Sequence, residues 1–247
     1  MKTFLLCVGA ERCGTTWLYK YLENYDSVDF GETKEYHYFD SLNIDEYKNY
    51  VRINKKHDIL STFYDNENNY FNYFINILNK KMITGDISPG YSALDKNILN
   101  NIKLKFLENK INTKVLYLIR NPVDRHISAT NLRISYDHLS LNNNEYNNII
   151  LSNMTNSFFK INSNYEQSHN KLLDIFKDQY LLKKYDSLFT YESTKEITNF
   201  LNLKYEDYDF KTKVHSKEIS DLTVYKSTIE KLNDFYKNEI TFFNSIN

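Results

Sequence analysis

Glycine and proline are nearly missing from this chain: 5 Gly and 2 Pro among 247 residues. That rules out a collagen-like repeat or a flexible linker protein. Two cysteines, Cys7 and Cys13, cannot staple a domain of this size, and no Cys/His run has metal-ligand spacing. His57, His126, His138 and His169 are likewise scattered, so no metal is expected. A chain so poor in cysteine suits a reducing, cytoplasmic compartment. There is no excess of either charge, since 31 Lys+Arg against 32 Asp+Glu leave a net −1. No global basic field therefore draws the protein to nucleic acid or to an anionic membrane, and an anionic ligand would need a local basic pocket. The longest apolar run, residues 4–8, is far too short for a membrane span or a signal segment. With the first strand at the very start, no leader or anchor is expected.

What is present is ordinary in bulk and informative in place. Apolar residues at 41% and charged residues at 26% are enough for one well-buried domain spanning 1–247. The surplus of 22 Tyr and 16 Phe, alongside abundant Asn and Lys, reads as a base-composition bias in the gene. The scarce residues are not scattered. Gly9 and Gly14 sit in VGAERCGTT, Gly31 in DFGETKE, Gly85, Pro89 and Gly90 in TGDISPGY, and Pro122 in IRNPVDR. Arginine behaves in the same way, because Arg12, Arg120, Arg125 and Arg133 lie in or near two of these segments. Arg is the side chain that grips phosphate with two parallel hydrogen bonds.

Periodicity predicts strands at residues 3–9, 82–85, 114–119 and 180–185. It predicts helices at 15–25, 97–109, 122–137, 165–176, 193–201 and, as one long element, about 222–243. Thr15 or Thr16 is the expected cap of the first helix. Residues 34–40 read as a short strand or loop, 44–81 as helices, and 140–156 as a surface loop or lid. Strands alternating with helices argue an α/β fold, a central parallel sheet flanked by helices.

The strand at 3–9 runs into G-x-x-x-x-G-T-T and then a helix, the layout of a phosphate-binding loop. A nucleotide kinase needs Lys after the second glycine, where this chain has Thr15; the positive charge comes earlier, as Arg12. GAERCGTTWLYKYL resembles the 5′-phosphosulfate loop of sulfotransferases that use 3′-phosphoadenylyl sulfate (PAPS), whose pattern is G-x-x-K-x-G-T-T. Arg12 stands where most members have Lys. The resemblance implies a P-loop-like sulfotransferase fold, with Arg12, Cys13, Gly14, Thr15, Thr16 and Trp17 in the cofactor-binding segment.

A second segment, YLIRNPVDRHISATNLR, is similar to the family's 3′-phosphate-binding pattern R-x-P-x-x-R-x-x-S, matched by Arg120, Pro122, Arg125 and Ser128. The two loops occur in the family's order. Fainter similarity places Tyr185 near the cofactor and Lys213, in KVHSKE, on a basic loop over the nucleotide. Sulfuryl transfer to a hydroxyl or amine needs a general base rather than a metal. KEYHYFD resembles the K-E-x-H-F-F-D stretch of glycosaminoglycan-type members, where the Glu is the base. The resemblance therefore implies Glu35 as base and a carbohydrate acceptor, with His37 as runner-up because small-molecule members use a His. The alternative is that Glu35 pairs with Lys34 or an Arg and only orients a loop. TGDISPGYS resembles the S/T-P-x-Y turn near the acceptor, with Ile87 where that branch has Lys.

The expected activity is thus transfer of a sulfuryl group from PAPS, leaving 3′,5′-adenosine diphosphate (PAP), without a metal or a covalent enzyme intermediate. The alternatives are a P-loop kinase, for which Asp86 could mimic the metal-binding carboxylate, and an inactive nucleotide-binding module.

Overall fold

Four short strands, β1 (Thr3–Cys7), β2 (Ile83–Asp86), β3 (Asn112–Ile119) and β4 (Tyr180–Lys184), form one sheet in a computed structural model of the chain. The structure describes residues 2–137, 140–206 and 222–246. All the pairings are parallel and the strand order is β2-β1-β3-β4. β1 is buried along its whole length, as a central parallel strand covered on both faces must be. Its apolar run is therefore continuous rather than alternating.

The connection from β1 to β2 carries five helices: α1 (Thr15–Leu22), α2 (Tyr38–Asn43), α3 (Asn49–Asn54), α4 (Asp58–Asp65) and α5 (Glu67–Leu78). Then α6 (Lys96–Glu108) leads to β3, and α7 (Pro122–Asp137), α8 (Asn143–Ser152), α9 (Ser157–Ile161) and α10 (Tyr165–Phe176) lead to β4. The chain ends with α11 (Tyr185–Leu188), α12 (Tyr191–Leu201), α13 (Lys226–Phe235) and α14 (Lys237–Ser245). From β1 the chain moves outward to β2, then crosses back to β3 on the other side. The carboxyl ends of β1 and β3 therefore flank the point where the winding reverses, where open α/β sheets bind ligands.

Aromatic residues fill much of the core. Phe4 stacks on Phe106 with ring centres 3.9 Å apart and meets Phe74 edge-on at 5.0 Å. A second, smaller cluster joins Val123 and Ile134 of α7, Tyr146 and Ile150 of α8, Leu232 of α13 and Tyr236 at the end of α13.

Several elements differ from the sequence reading. Residues 140–156 contain the α8 helix, not a surface loop, because Asn142 and Glu145 form a capping box and Tyr146 and Ile150 supply a buried stripe. The run of Asn hides that stripe from a composition argument. The last predicted helix is two, α13 and α14, broken at Tyr236, whose hydroxyl is 2.8 Å from His126 Nδ1. Residues 34–37 are loop and α2 starts at Tyr38, so 34–40 is not a strand. Neither Thr15 nor Thr16 caps α1; Gly14 does, with a left-handed backbone (φ 92°), and both threonine hydroxyls turn elsewhere. β4 stops at Lys184, so Tyr185 opens α11.

Gly85 lies where β2 meets β1. A Cβ built there would sit 2.1 Å from the Leu5 carbonyl oxygen, a backbone atom that cannot swing away. Gly85→Ala is expected to lower unfolding free energy by about 1–3 kcal/mol, the usual cost of overpacking. Urea denaturation checks this, and an unchanged midpoint would mean that β2 moves freely against β1.

Candidate active site

The loops that follow β1 and β3 meet directly. Arg12 Nε donates to Ser128 Oγ at 3.1 Å, joining the first glycine-containing loop to α7. Arg12 takes a left-handed backbone (φ 65°), a conformation that a non-glycine residue keeps only when its surroundings impose it. Gly14 has a left-handed backbone (φ 92°) that strains any larger residue, and a Cβ there would press on the side chains of Leu188 at 2.6 Å and Tyr185 at 3.3 Å. Tyr185 in turn carries the Arg120 guanidinium over its ring at 4.5 Å. Sequence-distant Arg12, Gly14, Arg120, Ser128 and Tyr185 are thereby gathered at the ends of neighbouring strands.

Other expected residues sit behind this surface. Arg125 is wholly buried and donates from its NH2 nitrogen to the Phe159 carbonyl and to Ser163 Oγ, so it braces α7 against α9. Cys13 is buried, with its thiol pushed up to about 12 by desolvation, so it is an inert thiol. Its N–H is used within the loop, donating to Ala10 O at 3.2 Å. Trp17 stacks face to face on Tyr21 at 5.5 Å and meets Phe189 edge-on. Lys213 lies outside the described residues.

Beside the loop runs a chain of alternating charges. Lys34 Nζ donates to Thr15 Oγ1 at 3.2 Å, to Thr16 Oγ1 at 3.0 Å and to Glu35 Oε1. His37 Nε2 lies 2.9 Å from Glu35 Oε2, and His37 Nδ1 lies 2.7 Å from Asp40 Oδ2. Glu35 and His37 thus share a face as expected, though through a left-handed turn at His37 (φ 45°) and not an extended strand. Ser88 Oγ holds that turn by accepting from Tyr36 N at 3.0 Å and His37 N at 2.9 Å. Burial opposes charge on Glu35, yet the His37 hydrogen bond and the Lys34 ammonium outweigh it and hold the carboxyl well below the usual carboxylate range. Burial likewise opposes an imidazolium at His37, but Asp40 and Glu35 on its two nitrogens lift it to about 10. At neutral pH His37 therefore carries both protons and has no lone pair to accept another.

Asp86 is not a metal-binding carboxylate at the surface. It is fully buried, accepts from Tyr70 (2.9 Å), Tyr91 (2.8 Å) and Ser88 (2.5 Å), and is raised to about 6 by burial. Among the described residues, no cluster of three or more His, Cys, Asp or Glu is arranged to hold a metal ion. Nor is any helix among them long and apolar enough to cross a membrane.

The family follows from the whole length of the chain, because residues 2–242 match the sulfotransferase domain. The chain belongs to that family and is a sulfotransferase. Among solved structures it is similar to the sulfotransferase from Alicyclobacillus acidocaldarius, with TM-score 0.64 and 16% identity over 98% of this chain and 94% of that one. It is also similar to the sulfotransferase domain from the Synechococcus PCC 7002 olefin synthase, with TM-score 0.50 and 15% identity over 98% and 96%. At these identities the likeness speaks for the α/β fold. No curated protein gives a significant match.

Three residues of this sulfotransferase site escaped the sequence reading. The sequence offers Lys34 only as a partner for Glu35, yet its ammonium also spans both loop threonines. Asp40 completes the charge chain, and the signal for it was the final Asp of KEYHYFD. Glu11, inside the first loop, has a buried Oε2 with no hydrogen-bond partner among the described residues, and desolvation raises its pKa.

The charge chain makes a pH test. His37 is raised above its unfolded value of 6.5, so its contribution to stability is full below pH 6.5 and is lost as pH rises through about 10. Unfolding free energy should fall by on the order of 3 kcal/mol across that window, and His37→Gln should flatten the fall. Urea melts of both proteins at pH 6 and pH 9.5 measure it. A variant as pH-sensitive as the parent would remove His37 as the cause.

Proposed function

We propose that this sulfotransferase moves a sulfuryl group from PAPS to a hydroxyl or amine, with Glu35 as general base. The observation that carries the reading is the Arg12–Ser128 hydrogen bond, because it makes one surface of two separate anion-binding segments. Buried polar atoms left unpaired fit the same ligand. Arg120 Nε is buried without a hydrogen-bond partner among the described residues, which is costly unless an anion completes it.

In this reading Arg120 and Ser128 hold the 3′-phosphate, and Arg125 fixes α7 from behind. Arg12, Gly14, Thr15 and Thr16 hold the 5′-phosphosulfate, helped by the N–H groups at the start of α1, which point out of the helix. Trp17 and Tyr185 wall the nucleotide side, and Cys13 contributes only its place in the loop. When bound, the cosubstrate supplies an electrophilic sulfur and a phosphate leaving group. Arg12 then offsets negative charge building on the bridging oxygen.

Glu35 is a weak base while Lys34 and His37 both grip it. Lys34 is shared between Glu35 and the loop threonines, so an anion at those threonines competes for its ammonium. Glu35 then loses one cation and becomes the stronger proton acceptor, while His37 keeps it oriented. His37, already protonated, is a charge partner in this scheme and not the base.

Cosubstrate choice is tested by thermal stability. PAP at a hundred times its Kd should stabilise the fold by about 2.7 kcal/mol, with ATP and Mg²⁺ at equal concentration doing much less. Equal stabilisation by both would favour a kinase-like site. Arg120→Ala should cost PAP binding roughly 1.5–3 kcal/mol and leave adenosine 5′-phosphosulfate, which lacks the 3′-phosphate, far less affected. Comparable losses would make Arg120 structural.

Glu35→Gln keeps the shape but cannot take the acceptor's proton. Turnover should fall by about 10²–10⁴ while PAP affinity changes by less than about tenfold. Near-normal turnover in this variant would take Glu35 out of the mechanism.

A further inference from the structure

A carboxylate with a cation on each oxygen is a weak base, so proton removal by Glu35 gains from any group that stabilises the acceptor as its proton leaves. Next to Glu35 lies a cavity of about 520 Å³, within the size range of small-molecule sites. It is lined by Thr16, Lys34, Glu35 and His37, and also by Tyr50 of α3. The Tyr50 ring lies on the His37 imidazolium, with ring centres 3.9 Å apart and planes 27° from parallel, which covers that face and fixes the ring. What Tyr50 can still offer is its hydroxyl.

Tyr50 is half-buried, and its hydroxyl makes no hydrogen bond among the described residues. Burial, then the carboxylates of Glu35 and Glu11, push its ionisation above the usual phenol range. At neutral pH it is therefore a donor held in the field of the proposed base. Other groups in the cavity are placed differently. Lys34 spends its ammonium on Thr15, Thr16 and Glu35, and both His37 nitrogens are bonded to carboxylates. Asn54 donates its amide to Tyr36 O at 2.6 Å and Tyr64 OH at 2.9 Å, and its Oδ1 can only accept. Thr16 and Thr33 each keep an O–H, but Thr16 belongs to the phosphosulfate loop and Thr33 Oγ1 already lies 3.5 Å from the Glu35 carbonyl.

We propose that Tyr50 is a further catalytic residue, its hydroxyl donating a hydrogen bond to the acceptor atom that attacks sulfur. This rests on the PAPS and Glu35 reading above. Glu35 and Tyr50 then divide the work at one atom: the carboxylate takes the proton, and the phenol stabilises the negative charge that the departing proton leaves behind. Such a bond strengthens as its acceptor becomes charged, so it favours the transition state over the bound ground state. It also offsets the weak basicity that Lys34 and His37 impose on Glu35. In the transfer, the acceptor oxygen bonds to sulfur, the bond from sulfur to the 5′-phosphate oxygen breaks with its electron pair going to PAP, and the acceptor's proton passes to Glu35. Tyr50 keeps its own proton throughout.

Water is the smallest acceptor and inorganic sulfate the product of transfer to it, so both serve as probes. Tyr50→Phe keeps the ring on His37 and removes only the hydroxyl. Two quantities are compared between parent and variant: the rate of sulfate release from PAPS in the absence of any other acceptor, and the Kd of inorganic sulfate for the PAP-saturated protein. The variant should release sulfate about tenfold more slowly and bind it about tenfold more weakly, the usual share of a hydrogen bond to a charged partner, with the PAP Kd within about twofold of the parent. A variant equal to the parent in either quantity overturns the proposal. So does a matching loss of PAP affinity, which would make Tyr50 structural. Failure of PAP to bind the parent protein strikes the PAPS reading, and this proposal with it.

Discussion

The parallel pairing of β1 with β3 is the constraint on which the rest of the structure depends. It sets Cys7 beside Leu116 and continues past the strand end, where Val8 N donates to Leu116 O and Ala10 N to Leu118 O. The two loops that leave these strands have no choice but to be neighbours. Arg12 and Ser128, separated by most of the first half of the chain, meet because backbone hydrogen bonds fix their parent strands one ladder spacing apart. α1 then starts at Gly14 and α7 at Pro122, so two helix N-termini rise from the same end of the sheet. The guanidinium groups of Arg12 and Arg120 converge there without any overall positive charge on the protein.

A second consequence is that charge can be carried into a poorly solvated place. Lys34, Glu35, His37 and Asp40 alternate in sign, and each has an opposite partner within hydrogen-bond reach. Removing any one would strand its neighbour, which costs more than the pair itself contributes. The arrangement also explains why the loop tolerates a left-handed His37. Ser88 takes both N–H groups of the turn, and Asp40 fixes the ring, so the backbone strain is outweighed by bonds made nowhere else.

Much of this was legible in the sequence because the chain is so short of glycine and proline. With few of either, each one marks a place where the backbone must turn sharply or a neighbour must come close, as Gly14 and Gly85 do. The β1 and β3 strands and the loops after them could be read from such landmarks, and the two-residue spacing put Glu35 and His37 on one face without showing their contact with each other. The rest is tertiary. α8 looked like a loop because Asn-rich composition outweighs two buried residues, Tyr146 and Ile150, in any local reading. The break at Tyr236 depends on His126, which lies far away in sequence. The double role of Lys34 cannot be seen from spacing, since its contacts to Thr15 and Thr16 exist only once the loop after β1 is folded against residues 34–37.

The tyrosine surplus shows how composition and site are related. Read as a bias of the gene, it predicts nothing, yet here the rings and hydroxyls do separate jobs. Tyr91 sends its hydroxyl to Asp86 and accepts from Tyr38 N and Phe39 N, so one phenol ties the first turn of α2 to β2. Tyr70 bonds the same carboxylate from α5. Asp86 is thus a buried anchor for three elements, and the loop that bears Glu35 hangs from it through Ser88. A phenol suits this task because it fills a core with its ring and still reaches a backbone N–H with its hydroxyl. In a chain with little glycine to bring backbones close, such reach substitutes for close approach, and the turn beside the proposed base hangs from a carboxylate that aromatic posts hold in place.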